Sequence, residues 1–214
     1  MLTVVTADII GSREIADRSA AQKVFDASIA RVEQALPVVV RGLRPTVGDE
    51  QQGVYPTLEA ALATILLLRL ALPDGLEFRY GIGLGEIGRV ASVGIEQGIA
   101  DGPGWWAART AVEHVEKLQR RDAPNARSWV VADEKTAKTD AAAVNWANAY
   151  LLARDEIVST MTARSRRLTY GRCLGEPQRE LARAEGITQS AVSQALASSG
   201  ASAIVAGFRM LAVA

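Results

Sequence analysis

The side chains able to do chemistry fall into two groups far apart in the chain. The first is Asp8, closing an apolar N-terminal run, with Asp49 in the turn Gly48-Asp49-Glu50. If the strand ending at Asp8 lies beside the hairpin holding Asp49, two carboxylates converge. Such a pair suits Mg²⁺, which takes few carboxylates and completes its shell with water and phosphate oxygens. A plainer reading has Asp8 capping the next turn and Asp49 simply making the Gly-Asp turn. Glu50 and Glu86 carry the same ambiguity, as a further ligand or an exposed acid. Spacing alone leaves these alternatives open.

The second group lies in Gln178–Leu196. Ala182 is small where two helices would cross, and Gly186, four residues on, suits a tight turn needing positive φ. Thr188 can cap a second helix whose inner face is Ala191, Val192, Ala195 and Leu196. That leaves Gln189, Ser190, Ser193 and Gln194 outward, short uncharged side chains suited to base edges. Arginines Arg164, Arg166, Arg167 and Arg179 stand just upstream, where they and Thr188 would serve phosphates. A helical hairpin packed on another element, or a protein-docking face, fits the same pattern.

These groups need elements to hold them. Leu2–Ile10 reads as a buried strand, Arg13–Leu36 as a helix, and Val38–Arg44 as a second strand. Gly53-Val54-Tyr55 belongs to a third strand, Leu58–Leu72 to a helix, and Glu77–Gly85 to a fourth strand. A helix from Pro103 to about Arg120 and a strand Ser128–Ala132 follow. The order β-α-β-β-α-β-α-β predicts an α+β fold with a ferredoxin-like antiparallel sheet and helices on one face. Gly81, Gly83 and Gly85 alternate on the fourth strand, for close packing or a phosphate cradle. From Ala141 β-pattern stops, a helix is expected over 141–167, and Gly171–Pro177 reads as a linker. Residues 1–140 are thus expected to form one domain and 141–214 a helical connector with a helix-turn-helix.

Composition bounds the function. The 214 residues include 24 basic and 24 acidic side chains, 49% apolar and 22% charged, which excludes wholesale disorder and a histone-like coat. Residues 1–150 hold 16 basic and 19 acidic side chains and 151–214 hold 8 and 5, a mildly acidic body and a mildly basic tail. One cysteine, Cys173, allows no internal disulfide, and one histidine, His114, disfavours a zinc centre or a Ser-His-Asp triad. No signal peptide or membrane span is read, and a cytoplasmic location is expected.

Several short stretches resemble, in order, the landmarks of class III nucleotidyl cyclases. They are Ala7-Asp8-Ile9-Ile10-Gly11-Ser12, Gly48-Asp49-Glu50, Arg79-Tyr80-Gly81-Ile82-Gly83 and Ala107-Ala108-Arg109. More closely, nearly the whole chain resembles the SatD family, which joins such a core to a C-terminal helix-turn-helix. The resemblance implies a ferredoxin-like core, a homodimer, metal aspartates at Asp8 and Asp49, and Arg109 as the arginine facing a transferring phosphate. The chain departs from the cyclases at Trp105, where an asparagine is expected, and at Leu43-Arg44-Pro45, where a purine-selecting lysine would stand. Those departures remove groups a cyclase needs. The expected core therefore dimerises or senses a nucleotide without catalytic residues, with Mg²⁺ the candidate cofactor. Trp105-Trp106 could stack a base or pack at an interface. The leading expectation is a DNA-binding regulator; the alternative is a Mg²⁺-dependent nucleotide-binding or cyclase-related enzyme.

Overall fold

The first strand sets the architecture. Six of the seven residues in Thr3–Ile9 are buried, because the strand lies at the centre of a sheet covered on both faces. The computed structural model describes residues 1–46, 48–92 and 95–211. In chain order come β1 (Thr3–Ile9), α1 (Arg18–Ala35), β2 (Arg41–Pro45), β3 (Glu50–Tyr55) and α2 (Leu58–Ala71). Next are β4 (Phe78–Leu84), β5 (Gly88–Ser92), β6 (Ile95–Asp101), α3 (Pro103–Gln119) and β7 (Ser128–Ala132). Five helices complete the mixed α+β chain: α4 (Glu134–Thr160), α5 (Ala163–Cys173), α6 (Gln178–Glu185), α7 (Gln189–Ser198) and α8 (Ala201–Met210).

The main sheet runs β2-β3-β1-β4-β7. The first four strands are antiparallel neighbours, as expected, but β7 pairs parallel with β4. A parallel neighbour requires a crossover, and α3 supplies it. This corrects the expectation that all helices share one face. Val5, Ala7 and Ile9 face the core with α1 and α2, whereas Val4 packs with Trp105 and Ala108 of α3 on the other side. Glycines make that second face close-fitting. A Cβ added at Gly81 would lie 2.0 Å from the Ala108 carbonyl oxygen, and one at Gly83 2.0 Å from that of Gly104. The alternating glycines serve helix–strand contact, the plainer of their two readings.

The β5–β6 hairpin was not foreseen, since glycines and polar residues break its apolar positions into runs shorter than a strand. Other boundaries moved for local reasons. Asp133 caps α4 by accepting from the Thr136 amide, so the helix begins at Glu134 and residue 140 lies inside it. A break at Met161-Thr162 separates α4 from α5, where Thr162 accepts from the Ser165 amide. The expected linker shortens as well, because Gly171, Arg172 and Cys173 belong to α5. A Cβ at Gly171 would meet Leu181 Cδ2 at 2.5 Å, so that glycine admits α6 instead of ending α5.

Apolar residues cover α2 all round, and 11 of its 14 positions are buried. That is the pattern of a helix enclosed on every side. The sheet lies on one flank and α5 on the other, and the buried cluster runs without interruption from Val5 to Phe208. Three charged side chains, Arg69, Arg154 and Asp155, are buried here. Arg69 Nη1 donates to Asp155 Oδ1 of α4 at 2.6 Å, and Arg154 donates to the same oxygen at 2.7 Å and to Ser128 Oγ at 2.6 Å. The Arg127 amide donates to Asp155 Oδ2 at 2.7 Å. Burial alone would raise the Asp155 pKa, but the two guanidiniums outweigh it and hold the carboxyl below its usual value. A second tie closes the sheet edge: the Val130 amide donates to Asn148 Oδ1 at 2.8 Å, and Asn148 Nδ2 donates to the Val130 carbonyl at 2.9 Å. Asn148 thus takes the place of a further strand beside β7.

Candidate functional site

At one end of the α3-covered face, strand register brings charges together. Asp8 stands opposite Glu50 of β3 on one side and Arg79 of β4 on the other. Arg79 Nη1 donates to Asp8 Oδ2 at 3.0 Å, and its Nε donates to Gln119 Oε1 at 2.7 Å. Burial raises the Asp8 pKa, and the next largest cause is the negative charge of Asp49. Asp49, in the hairpin turn, thus acts on Asp8 through its charge. Arg109, reaching from α3, forms an ion pair with Glu50. Arg109 is thereby joined to Glu50, which stands opposite Asp8 in the β1–β3 register.

Glu50 corrects the exposed-turn reading. It begins β3, is buried, and also accepts from Gln52 Nε2 at 2.9 Å. Trp105 is buried too, its ring against Val4 and Val54 with the Arg41 guanidinium 5.5 Å from its centroid. Trp106 points elsewhere, exposed, and donates to Asp101 Oδ1 at 2.9 Å. The two indoles therefore form no joint platform. Glu86 lies outside the cluster, paired with exposed Lys135 at 2.8 Å, and His114 stacks on Trp129 with centroids 4.4 Å apart.

As a donor set for Mg²⁺ the cluster fits in charge. It offers two carboxylates whose mutual repulsion a cation would relieve, with one oxygen of Asp8 already engaged by Arg79. Among the described residues no group of three or more His, Cys, Asp or Glu side chains is arranged to hold a metal ion. Phosphate oxygens or water would have to complete the shell.

The second group assembles on α6 and α7. Gly186 adopts φ 63°, ψ 35°, the left-handed turn expected of it, and Thr188 Oγ1 accepts from the Ala191 amide to cap α7. Leu181, Ala182, Val192 and Leu196 are buried, while Gln189, Ser190, Ser193 and Gln194 are exposed. The arginines are less free than the sequence suggested. Arg167 donates to both oxygens of Glu185 at 2.7 Å, and Arg164 lies 3.5 Å from the same carboxylate. Those contacts, Arg167 first, lower the Glu185 pKa. Arg179 pairs with Glu180 at 3.3 Å. Arg166 turns inward to Asp74 at 2.5 Å, with 15% of its side chain exposed. It ties α5 to the loop before β4, which corrects its place among surface phosphate contacts.

A model of the SatD family matches residues 2–209. The chain belongs to the SatD family. This SatD-family chain has no match among curated proteins. Three solved structures are similar over part of it. The catalytic core of a rhodopsin-guanylyl cyclase with converted specificity shares 16% identity, with 52% of this chain and 71% of that one covered and a TM-score of 0.42. A bacterial light-regulated adenylyl cyclase shares 15% identity, covering 60% and 74%, with a TM-score of 0.41. The adenylyl cyclase CyaB from P. aeruginosa shares 15%, covering 66% and 80%, with a TM-score of 0.40. At those scores the likeness carries no argument about activity.

Sequence reasoning missed the ionic layer of Arg69, Arg154 and Asp155. The one available signal was a lone arginine inside the apolar run of α2. Among the described residues no single helix is long and apolar enough to cross a membrane.

Proposed function

We propose that this SatD-family protein is a DNA-binding regulator that reads the major groove with α7, on a ferredoxin-like, cyclase-like body at 1–140 and as a homodimer. The observation that carries the reading is the α6–α7 junction. A short helix, a left-handed glycine and a capped second helix leave four uncharged polar side chains outward on α7 and the apolar ones inward. Such a face has donors and acceptors for base edges and no charge to impose indiscriminate binding. Arg164, Arg167 and Arg179 flank it, held by Glu185 and Glu180, so each adds less than a free arginine to phosphate binding. One copy would then bind weakly, and pairing of two copies on adjacent half-sites supplies the rest. The test is a duplex chosen by selection from random sequence. Gln189→Ala with Gln194→Ala should alter the preferred sequence, whereas Arg164→Ala with Arg167→Ala should lower affinity evenly and flatten the salt slope. Unaltered preference in the glutamine variant removes α7 as the reader.

A second reading is favoured by the charge that Asp49 exerts on Asp8 and by Arg109 on neighbouring Glu50. There Asp8 and Asp49 would hold Mg²⁺ and Arg109, released from Glu50, would meet a phosphate, making a nucleotide-binding or cyclase-related site. A bound Mg²⁺ would neutralise phosphate charge. Trp105, buried in the position of the cyclase asparagine, argues for binding without cyclisation. Calorimetry with ATP or GTP plus Mg²⁺ on wild type and Asp8→Ala decides it: heat in the wild type alone supports the site, and no heat in either removes it.

A further inference from the structure

Residues 151–214 carry eight arginines. Six of them have carboxylate partners: Arg154 with Asp155, Arg164 and Arg167 with Glu185, Arg166 with Asp74, and Arg179 and Arg183 with Glu180. Among the described residues the other two, Arg172 and Arg209, have no carboxylate partner, and Arg172 donates to the backbone carbonyl of Glu176. Both line one cleft of about 290 Å³ where α5, α7 and α8 meet beside the start of α6. Its remaining wall joins small polar groups, Gln178, Ser193 and Ser202, to apolar Leu196 and Val205. Arg172 and Arg209 thus share one hollow, and both guanidiniums act against burial on the Cys173 thiol of α5. That thiol is itself pushed up to about 12 by burial, so it offers no negative charge to balance them.

Two guanidiniums without counterions over a partly apolar hollow are a complementary surface for an oxyanion attached to a small hydrophobic group. The volume lies just under the usual range of ligand pockets, about 300–1,000 Å³, and suits a small ligand. We infer that this cleft binds a small organic anion, its phosphate or carboxylate head between Arg172 and Arg209 and its apolar body on Leu196 and Val205. The site is separate from the Asp8 cluster. Its position gives it a regulatory use, which rests on the proposed reading of DNA by α7, because Leu196 and Ala197 of α7 form one wall together with Ser193 of the outward face. A ligand seated there would set how α7 lies on α8 and therefore how its exposed face is presented.

The probe is phenyl phosphate, titrated into the full-length protein and followed by backbone amide NMR, with inorganic phosphate and a short DNA duplex as parallel arms. Saturable shifts confined to α5, the start of α6, α7 and α8 are expected, with tighter binding for phenyl phosphate than for inorganic phosphate. Arg172→Gln with Arg209→Gln should weaken binding by about tenfold or more, the scale of charge-assisted hydrogen bonds. Ser202→Leu, which fills the cleft without altering charge, should do the same and guards against a folding defect in the arginine variant. Equal affinity for both phosphates, with displacement by the duplex, would make the pair a DNA-backbone contact and overturn the proposal. Absence of saturable shifts in the folded protein would overturn it as well.

Discussion

Arg69 of α2 and Asp155 of α4 meet at 2.6 Å with 5% and 0% of their side chains exposed. This pair, with Arg154 beside it, ties the sheet-bearing half to the helical half. Removing a buried charge's partner costs far more than the pair's own net value, because the survivor stays desolvated. Asp155→Ala would strand two guanidiniums and should destabilise the protein by about 3–5 kcal/mol. Urea unfolding checks this; a loss under about 1 kcal/mol would mean that water reaches the site.

The same carboxyl predicts an acid limit. Its folded pKa lies below the unfolded value, so its contribution is complete above that unfolded value, about 3.9, and is lost as pH falls through the folded one. Stability should hold down to about pH 4 and fall below it, and the Asp155→Asn variant should show a shallower fall. Parallel profiles for the two proteins would contradict the assignment.

Asn148 stands in for a strand. Asn148→Ala leaves the Val130 amide and carbonyl without partners at the buried edge of β7, which should cost about 1–3 kcal/mol. Hydrogen exchange at the Val130 amide should accelerate well beyond the global change. If it rises only in step with global stability, Asn148 is not what protects that edge.

Two glycines should respond differently to alanine. At Gly186 nothing lies within 4 Å, so only the left-handed backbone resists and about 1–2 kcal/mol is expected. At Gly81 the added carbon lies 2.0 Å from the Ala108 carbonyl oxygen, so α3 must move and more than about 3 kcal/mol is expected. Denaturation midpoints of the two variants compare them directly. Near-equal losses would show that α3 yields easily.

The charged end of the sheet predicts a titration. The Asp8 pKa is raised by burial and then by Asp49. Asp49→Asn should bring it down toward the usual carboxylate value, and Mg²⁺ should lower it in the wild type but less in the variant. Carboxyl-carbon NMR reads both. An Asp8 titration indifferent to Asp49 would separate the two carboxylates.

Local pattern made much of this molecule legible. Val-rich β1, the apolar run of α2 and the Pro103 helix start are each set by neighbouring residues, and all were read from sequence. The Gly186–Thr188 turn was legible for the same reason. What escaped depends on distant partners. Nothing near Arg69 announces Asp155, and nothing near Arg166 announces Asp74. The tail's arginines read as a free basic patch because Glu185 and Glu180 come to them through folding. Asp133 as a cap and Gly171 as a packing glycine likewise take their meaning from the three-dimensional contact.

Whether α7 reads DNA is decided by unbiased selection from random sequence. Full-length protein would be mixed with random-sequence duplexes at about 50 mM and about 200 mM salt, a range over which phosphate contacts weaken strongly. Enrichment of a two-fold-symmetric site at both salts, lost with Gln189→Ala and Gln194→Ala, is the predicted result. No retention even at the lower salt would contradict the claim.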